Sequence, residues 1–382
     1  MASGIRKAAA IAALIIFMAG TAMIPVPALA GMGVIDFRPY WSSSYLLRQG
    51  QDFPLSDSSN MDRIERTLTG WRETYTMHAW FSPTGNLALL PYTYFPFERA
   101  AHFWLVTNIY VILISAALLW FKTKKQIWVP IFAVLIFSPT LLSIKYGQVN
   151  TLVLAGLALF IYFDKTGGNF LAGASLILTT IKPHLVILTL PLLILNGIHR
   201  RNWRMLAGFT TALISCAAIL FLLYPSWLVS FWNLVFSGMS NFRETPTFAG
   251  IFAASGDRQF GKWIWVAGLM AASIAWWMQK NRLDQQTMID ISLMAGLLLS
   301  PIGWSYDQII LIIPIIRILK WVVRGSLNKK TAAMLVMVLA AANGVLFYER
   351  TLLLSDAWFA WTPALTLAIY LTALGKSDGS FV

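Results

Sequence analysis

Long apolar runs alternate with short polar segments along most of the chain. After Arg99 the runs recur regularly, in the pattern typical of helices that cross a membrane. The predicted spans cover residues 99–121, 127–144, 150–163, 169–181, 184–198, 205–224, 262–279, 286–300, 307–320, 331–347 and 356–374. With a first apolar run over residues 8–30, the pattern predicts an all-α polytopic membrane protein of about twelve transmembrane helices. We predict a single integral membrane domain over residues 1–382.

The first apolar run has two interpretations, a cleaved signal peptide or a retained membrane anchor. Ala28, Ala30 and Gly31 have the small side chains and the spacing of a signal-peptidase site. The apolar stretch before Pro25 is longer than the usual signal-peptide core of about 7–15 residues, so we predict that the run is retained. Arg6 and Lys7 hold the amino terminus in the cytoplasm under either interpretation.

Two segments between the runs are predicted to lie outside the membrane on the far side. In the first, residues 31–98, the stretches 40–49 and 61–71 have the spacing of amphipathic helices that lie on a membrane surface. Residues 80–96 are apolar, aromatic and interrupted by prolines, which predicts a re-entrant or interfacial element beside a cavity. The second outer loop, residues 225–261, carries no chemistry that its sequence identifies.

Composition and charge support this class and orientation. Hydrophobic residues make up 58% of the chain and charged residues 12%, whereas about a quarter of a soluble domain is charged. If both termini are cytoplasmic, that side receives 17 of the 29 basic residues and only 4 of the 16 acidic ones, which accounts for the whole net charge of +13. The basic balance therefore indicates topology and needs no nucleic-acid partner. A single cysteine, Cys216, excludes an intramolecular disulfide.

Asp36 follows the first apolar run, where a helix meets the outer surface of the membrane. A carboxylate so close to hydrocarbon is costly, so we interpret Asp36 as a functional residue. The alternative is an interfacial ion pair with Arg38, the nearest basic residue.

Lys182, Pro183 and His184 join two predicted spans that are shorter than the roughly 20 residues needed to cross hydrocarbon. The junction is therefore expected to lie below the outer surface, with Lys182 lining a cavity. The alternative is a lysine that extends to the interface.

Two further outer junctions concentrate polar side chains. Residues 145–150 contain Lys145, Gln148 and Asn150, and residues 300–308 add a second acid, Asp307. Each could instead cap a helix or complement its dipole. Because all of these groups converge on one predicted face, a functional site is favoured over unrelated caps.

Five short motifs occur in a fixed order along the chain. They are Asp36-Phe37 with Tyr40, Phe81-Ser82-Pro83, Gly147-Gln148-Val149-Asn150, Ile181-Lys182-Pro183, and the sequence SPIGWSYD over residues 300–307. In this order they resemble glycosyltransferase family 87, the polyprenyl-phosphate-mannose-dependent mannosyltransferases of the GT-C class. The resemblance covers nearly the whole chain.

The resemblance implies a GT-C-like helix bundle with a cavity open to the extracytoplasmic side. It implies a polyprenyl-phosphate sugar as donor, a lipid or glycan acceptor, and inversion at the anomeric carbon. The acid after the first helix, here Asp36, corresponds to the presumed catalytic base. The chain departs from some relatives at the last motif, where it has Tyr306 and Asp307 instead of histidines.

The chemistry of an inverting transfer agrees with these residues. One carboxylate must accept the proton of the attacking hydroxyl, and cations must hold the departing phosphate. Asp36 is the predicted base. The predicted donor-binding residues are Arg38, Tyr40, Lys145, Gln148, Asn150, Lys182, His184, Tyr306 and Asp307. The chain contains no Asp-x-Asp pair, so neither a metal nor another cofactor is expected.

The competing hypothesis is a transporter or flippase of lipid-linked sugar, which would also have many spans and a polar cavity. The two halves of the chain show no internal repeat, and the polar groups cluster at one face and not at the midplane. A membrane scaffold protein would explain the hydropathy but not the outward acid and lysine. We therefore predict a transferase of the inner or plasma membrane, with its active site on the extracytoplasmic side.

Overall fold

The computed structural model describes residues 33–50, 58–123, 126–238, 244–254 and 258–377. These residues form α-helices and short 3-10 helices and contain no strands. The first apolar run, with the question of its cleavage, lies outside them. The α-helices of the described residues are α1 (Phe37–Arg48), α2 (Ser58–Thr69), α3 (Pro83–Leu89), α4 (Phe97–Leu119), α5 (Trp128–Ile136), α6 (Ser138–Tyr146), α7 (Asn150–Thr166), α8 (Asn169–Ser175), α9 (Thr189–His199), α10 (Trp203–Leu223), α11 (Trp227–Gly238), α12 (Phe248–Ala254), α13 (Arg258–Gln279), α14 (Gln285–Leu299), α15 (Ile312–Arg324), α16 (Lys329–Thr351) and α17 (Trp361–Lys376).

Four helical segments of the described chain are long and apolar enough to cross a membrane. They are α4, α10, α16 and the segment Asp356–Lys376, in which a short 3-10 helix leads into α17. A fifth is obtained if α5 and α6 form one broken span. The chain is therefore an all-helical membrane protein, and the count of about twelve spans stays a prediction.

The stretch predicted as one span over residues 127–144 is divided in the structure. Helices α5 and α6 meet at an angle of 65°, because Pro139 stands at the start of α6 and cannot continue the hydrogen bonding of α5. Asn343 of α16 satisfies the backbone at this break. Its side chain accepts from the N–H of Ser138 at 2.9 Å and donates to the carbonyl of Ile136 at 2.8 Å.

In the short predicted spans 169–181 and 184–198, part of the backbone is 3-10 helix and part is α-helix. Helix α8 ends at Ser175 and continues as a 3-10 helix, Leu176–Ile181. A second 3-10 helix, Pro183–Val186, follows Lys182, and regular helix α9 begins only at Thr189. Pro183 explains the interruption, because it lacks the N–H that a continuous helix would need.

The predicted first outer segment contains the two predicted helices: α1 and α2 each begin three residues earlier than predicted and end one and two residues earlier, respectively. In helix α2, Met61 and Ile64 are buried, whereas Leu68 is exposed. Helix α1 differs from a surface helix because most of its residues are buried, including Trp41 and Leu46. It packs against α3 and the adjoining 3-10 helix Leu90–Tyr94, so its surroundings are protein.

The core of the bundle surrounds α7. Val153, Leu154, Leu157 and Phe160 are fully buried there. Helix α7 contacts α4 on one side and the 3-10 helix Leu176–Ile181 on another. The predicted second outer loop, residues 225–261, contains α11, α12 and the first residues of α13. The predicted site residues are found at the amino-terminal end of α7.

Candidate active site

The segment before α1 lies against the carboxyl-terminal end of α6. The N–H of Gly33 donates to the carbonyl of Lys145 at 2.8 Å, and the N–H of Asp36 donates to the carbonyl of Tyr146 at 2.9 Å. Gly147 has a φ of +74°, and a Cβ there would stand 2.0 Å from the Gly33 carbonyl oxygen. Glycine therefore permits the close approach that brings Asp36 beside the turn between α6 and α7.

Asp36 directs its carboxylate into the protein. Although it precedes α1, its side chain forms no capping hydrogen bond, and instead its Oδ2 accepts from Nε2 of Gln148. Burial raises the pKa of Asp36 to about 6, although the charge of Lys182 and the Gln148 hydrogen bond act to lower it. A carboxylate with such a pKa can accept a proton near neutral pH.

Gln148 connects Asp36 to the second acid. Its Oε1 accepts from the hydroxyl of Tyr40 at 3.0 Å and from Nζ of Lys182 at 2.8 Å. Nζ of Lys182 also lies 2.9 Å from Oδ1 of Asp307. The lysine side chain is only 1% exposed, so it does not extend to a surface.

Asp307 contacts further polar groups of the site. Its Oδ2 lies 3.3 Å from Nε2 of His184 and accepts from the N–H of Trp304 at 3.2 Å. Asn150 donates to Oδ1 of Asp307 at 3.4 Å and to the Tyr306 carbonyl at 2.9 Å. Asp307 thus caps the start of the 3-10 helix Ser305–Leu311 and also forms the ion pair with Lys182.

The break at Pro183 is stabilised by the Phe-Ser-Pro turn before α3. Without an N–H, Pro183 leaves carbonyls of the preceding 3-10 helix without their usual donor. Ser82 supplies the donors: its Oγ bonds to the Thr180 carbonyl at 2.6 Å and its N–H to the Ile181 carbonyl at 2.9 Å. Two sequence motifs far apart in the chain therefore form one junction that positions Lys182.

Aromatic rings cover one side of the lysine. The rings of Trp304 and Tyr306 are stacked with centroids 6.0 Å apart, and Nζ of Lys182 lies 5.5 Å and 5.0 Å from them. His184 meets the edge of Trp304 at 6.1 Å. These contacts fix the ammonium in a mainly aromatic environment with one balancing carboxylate.

Eight of the ten predicted residues therefore form one contact network, which we call the polar cluster. Its members are Asp36, Tyr40, Gln148, Asn150, Lys182, His184, Tyr306 and Asp307.

Arg38 and Lys145 are not brought into this network. Nε of Arg38 donates to Oγ1 of Thr69 at 2.8 Å, and its guanidinium lies 4.7 Å from the centre of the Trp71 ring. Lys145 is exposed, with its Nζ 5.7 Å from the ring centre of Tyr146. The ion pairs of the described residues do not include Asp36 with Arg38, which removes the basis of the ion-pair alternative.

Two residues beside the cluster were missed from the sequence. The carboxylate of Asp356 accepts from the N–H and the hydroxyl of Ser305, at 3.0 Å and 2.7 Å, and lies 3.5 Å from Nη1 of Arg350. These bonds anchor the segment that carries Tyr306. The available signal was a base within the short junction between two predicted spans, residues 348–355, and an acid at the start of the second span.

The side chains of the polar cluster are closely packed. The groove found in the structure lies away from them. A groove of about 300 Å³ lies between α16 and α17, and its lining is entirely apolar. Among the described residues, no group of three histidine, cysteine or acidic side chains is arranged to hold a metal ion. The cavity beside the cluster stays a prediction.

Comparison with known proteins gives the family. The profile of glycosyltransferase family 87 matches residues 79–301, more than half of the chain. The matched range contains Gln148 and Lys182, whereas Asp36 and Asp307 lie outside it. No curated protein and no solved structure matches the chain. The chain belongs to glycosyltransferase family 87, which indicates a membrane glycosyltransferase with a sugar donor and an acceptor as substrates.

Proposed function

We propose that the protein transfers a hexose, mannose by the family resemblance, from a polyprenyl-phosphate-linked donor to a lipid or glycan acceptor. The reaction takes place on the extracytoplasmic side of the cell membrane and inverts the anomeric carbon. One observation supports this most directly: Asp36 has a pKa raised to about 6 and is held by Gln148 within a polar cluster that also contains a cation.

Asp36 acts as the general base in the proposed reaction. Its carboxylate accepts the proton of the acceptor hydroxyl while that oxygen forms a bond to the anomeric carbon. The bond between this carbon and the phosphate oxygen breaks on the opposite face of the sugar, and its electron pair leaves with the polyprenyl phosphate. Gln148 orients the carboxylate because it donates to Asp36 and is itself fixed by Tyr40 and Lys182.

The rest of the polar cluster forms the donor side of the proposed site. Lys182 supplies positive charge near the departing phosphate, and Asp307 and Gln148 hold its ammonium in place. The stacked rings of Trp304 and Tyr306 offer a surface on which a sugar can lie. Lys145 is exposed at the end of α6, and in the proposed site it contacts the donor from the protein surface.

The sidedness of the site rests on the charge distribution of about twelve proposed spans. Reporter fusions after Arg204 are expected to read cytoplasmic, and fusions near Asp57 extracytoplasmic. A fusion at Arg204 that reads extracytoplasmic would rule out this topology and the outward-facing site.

Transfer of radiolabelled sugar tests the proposed activity directly. The purified protein in detergent is incubated with a labelled polyprenyl-phosphate sugar and a lipid extract as acceptor source. A transferase forms a new labelled covalent product with the anomeric configuration inverted, whereas a transporter or flippase forms none in detergent. The same assay with several lipid-linked sugars identifies the hexose.

A further inference from the structure

The guanidinium of Arg350, in the last turn of α16, has one edge without a partner. One of its faces lies 3.5 Å from the ring centre of Phe359, and its Nη1 lies 3.5 Å from Asp356. Its Nε and Nη2 are buried and have no hydrogen-bond acceptor within the described part of the chain. Buried donors are nearly always paired, so this edge requires an explanation.

Arg350 is connected to the polar cluster through two neighbours. Asp356, which it contacts, binds the backbone and hydroxyl of Ser305 at the start of the 3-10 helix of the cluster. Tyr146 is near enough to act electrostatically on Arg350, and its carbonyl accepts the N–H of Asp36. Arg350 therefore belongs to the surroundings of the proposed active site.

The two cations beside the site differ in what they can still bind. The ammonium of Lys182 already donates to Asp307 and Gln148, and the carboxylate balances its charge. The Nε and Nη2 groups of Arg350 form a planar fork with two parallel N–H bonds. This fork matches two oxygens of one phosphate group, a geometry that an ammonium cannot provide.

We propose that the Nε and Nη2 edge of Arg350 binds the phosphate group of the lipid-linked donor and holds it as the bond to the sugar breaks. This inference rests on the proposed function, in which the donor is a polyprenyl-phosphate sugar. Both nitrogens are shielded from solvent, so the phosphate displaces the groups that cover them. Asp356 keeps the guanidinium oriented through Nη1, and Phe359 supports its face.

Direct binding tests this role without requiring turnover. The purified full-length protein in detergent is titrated with polyprenyl phosphate and with unphosphorylated polyprenol of the same chain length. We expect Arg350→Gln to bind polyprenyl phosphate about tenfold to a hundredfold more weakly than wild type, because a charge-assisted pair is lost. Binding of polyprenol should be unchanged. Arg350→Lys keeps the charge but loses the fork, so its affinity for polyprenyl phosphate should lie between those of wild type and Arg350→Gln.

Arg66→Gln is the matched control, because it neutralises an exposed arginine on α2 that pairs with Asp62. It should bind both lipids as wild type does. Equal binding of polyprenyl phosphate by folded Arg350→Gln and wild type would overturn the assignment. If that variant does not fold, wild-type affinity in Arg350→Lys overturns it instead.

Competition separates the two sources of a lipid phosphate. Phosphatidylglycerol in the same micelles should displace polyprenyl phosphate poorly, and displacement at equal concentrations would assign the edge to membrane head groups and not to the donor. If wild type binds polyprenyl phosphate through Arg350 but transfers no sugar, the proposed function fails while the phosphate site stands.

Discussion

Two buried ionic networks in the described structure use the same chemistry in different backbone settings. The polar cluster contains the pair Lys182–Asp307 at 2.9 Å, and a second network contains the pair Arg317–Asp290, also at 2.9 Å. We call the second the arginine network. Its members are Arg317, Asp290, Asp284 and Tyr370. Asp307 stands near the start of the helical segment Ser305–Arg324, and Arg317 stands further along it, in the middle of α15.

The two networks differ in the elements that carry them. Asp290, Arg317 and Tyr370 project from the regular helices α14, α15 and α17. Their bonds join three helices and leave each backbone intact. In the polar cluster, by contrast, Gln148 and Lys182 stand at junctions where regular helices are interrupted.

An interrupted helix within a membrane protein exposes backbone groups that other residues must satisfy, as Ser82 does at Pro183. Such a junction is costly if its only result is an ion pair, because regular helices provide one without it. We therefore propose that the arginine network serves stability and the polar cluster serves substrate chemistry.

The largest effect is expected for Asp36→Asn. Asparagine keeps the shape of the side chain and can still interact with Gln148, but it cannot accept a proton. We expect the turnover number to fall about 10²–10⁴-fold, while expression, extraction and thermal unfolding match wild type. Asp62→Asn is the matched control, since Asp62 is an acid on α2 away from the cluster. Near-normal turnover in well-folded Asp36→Asn would remove Asp36 as the base.

A large effect on stability is expected for Arg317→Met. Removal of the guanidinium leaves the fully buried Asp290 without its cation, which should cost about 3–5 kcal/mol of stability. The double variant Arg317→Met/Asp290→Asn should recover most of the loss, because no unpaired charge remains. Thermal unfolding in detergent measures both effects. Turnover of the folded double variant should equal wild type, and a persistent loss of turnover would give this network a role in catalysis.

The same pair of changes in the polar cluster should have a different result. Lys182→Met leaves the buried Asp307 without its ammonium partner, and Lys182→Met/Asp307→Asn should restore folding as in the arginine network. Transfer should nevertheless remain lower by about tenfold to a hundredfold, with the donor KM raised more than the acceptor KM. Full recovery of transfer in the double variant would contradict the distinction between the two networks.

The sequence predicted the helical membrane class, and hydropathy placed α4, α10 and α16 within a few residues of their observed ends. Long apolar runs determine such helices locally, because each must satisfy its own backbone. The bend at Pro139 was not anticipated, since the hydropathy of residues 127–144 is continuous. That bend depends on Asn343, a residue distant in the chain that satisfies the broken backbone.

The members of the polar cluster could be proposed because they share one predicted membrane face. Their pairing could not be predicted, because it depends on side-chain directions that sidedness leaves open. Arg38 is next to Asp36 in sequence but bonds to Thr69, and Lys182 pairs with an acid 125 positions away. Arg350 was missed because its neighbours become apparent only when α16 packs beside the end of α6.

The smallest effect is expected for pH, and it concerns Asp36 alone. Its pKa is raised to about 6, chiefly by burial, and only the ionised form can act as base. The value of kcat/KM should therefore reach half of its plateau near pH 6, level off above about pH 7, and approach a tenfold fall for each pH unit below about pH 5. Lys182 lowers this pKa more than Asp307 raises it, so the inflection of the folded double variant Lys182→Met/Asp307→Asn should move to higher pH. The pKa of Glu65 on α2 is raised to about 7, also chiefly by burial, so Glu65→Gln is the necessary control and should leave the profile unchanged. A profile that is flat between pH 5 and 7, or that moves in Glu65→Gln, would show that the titrating base is not Asp36.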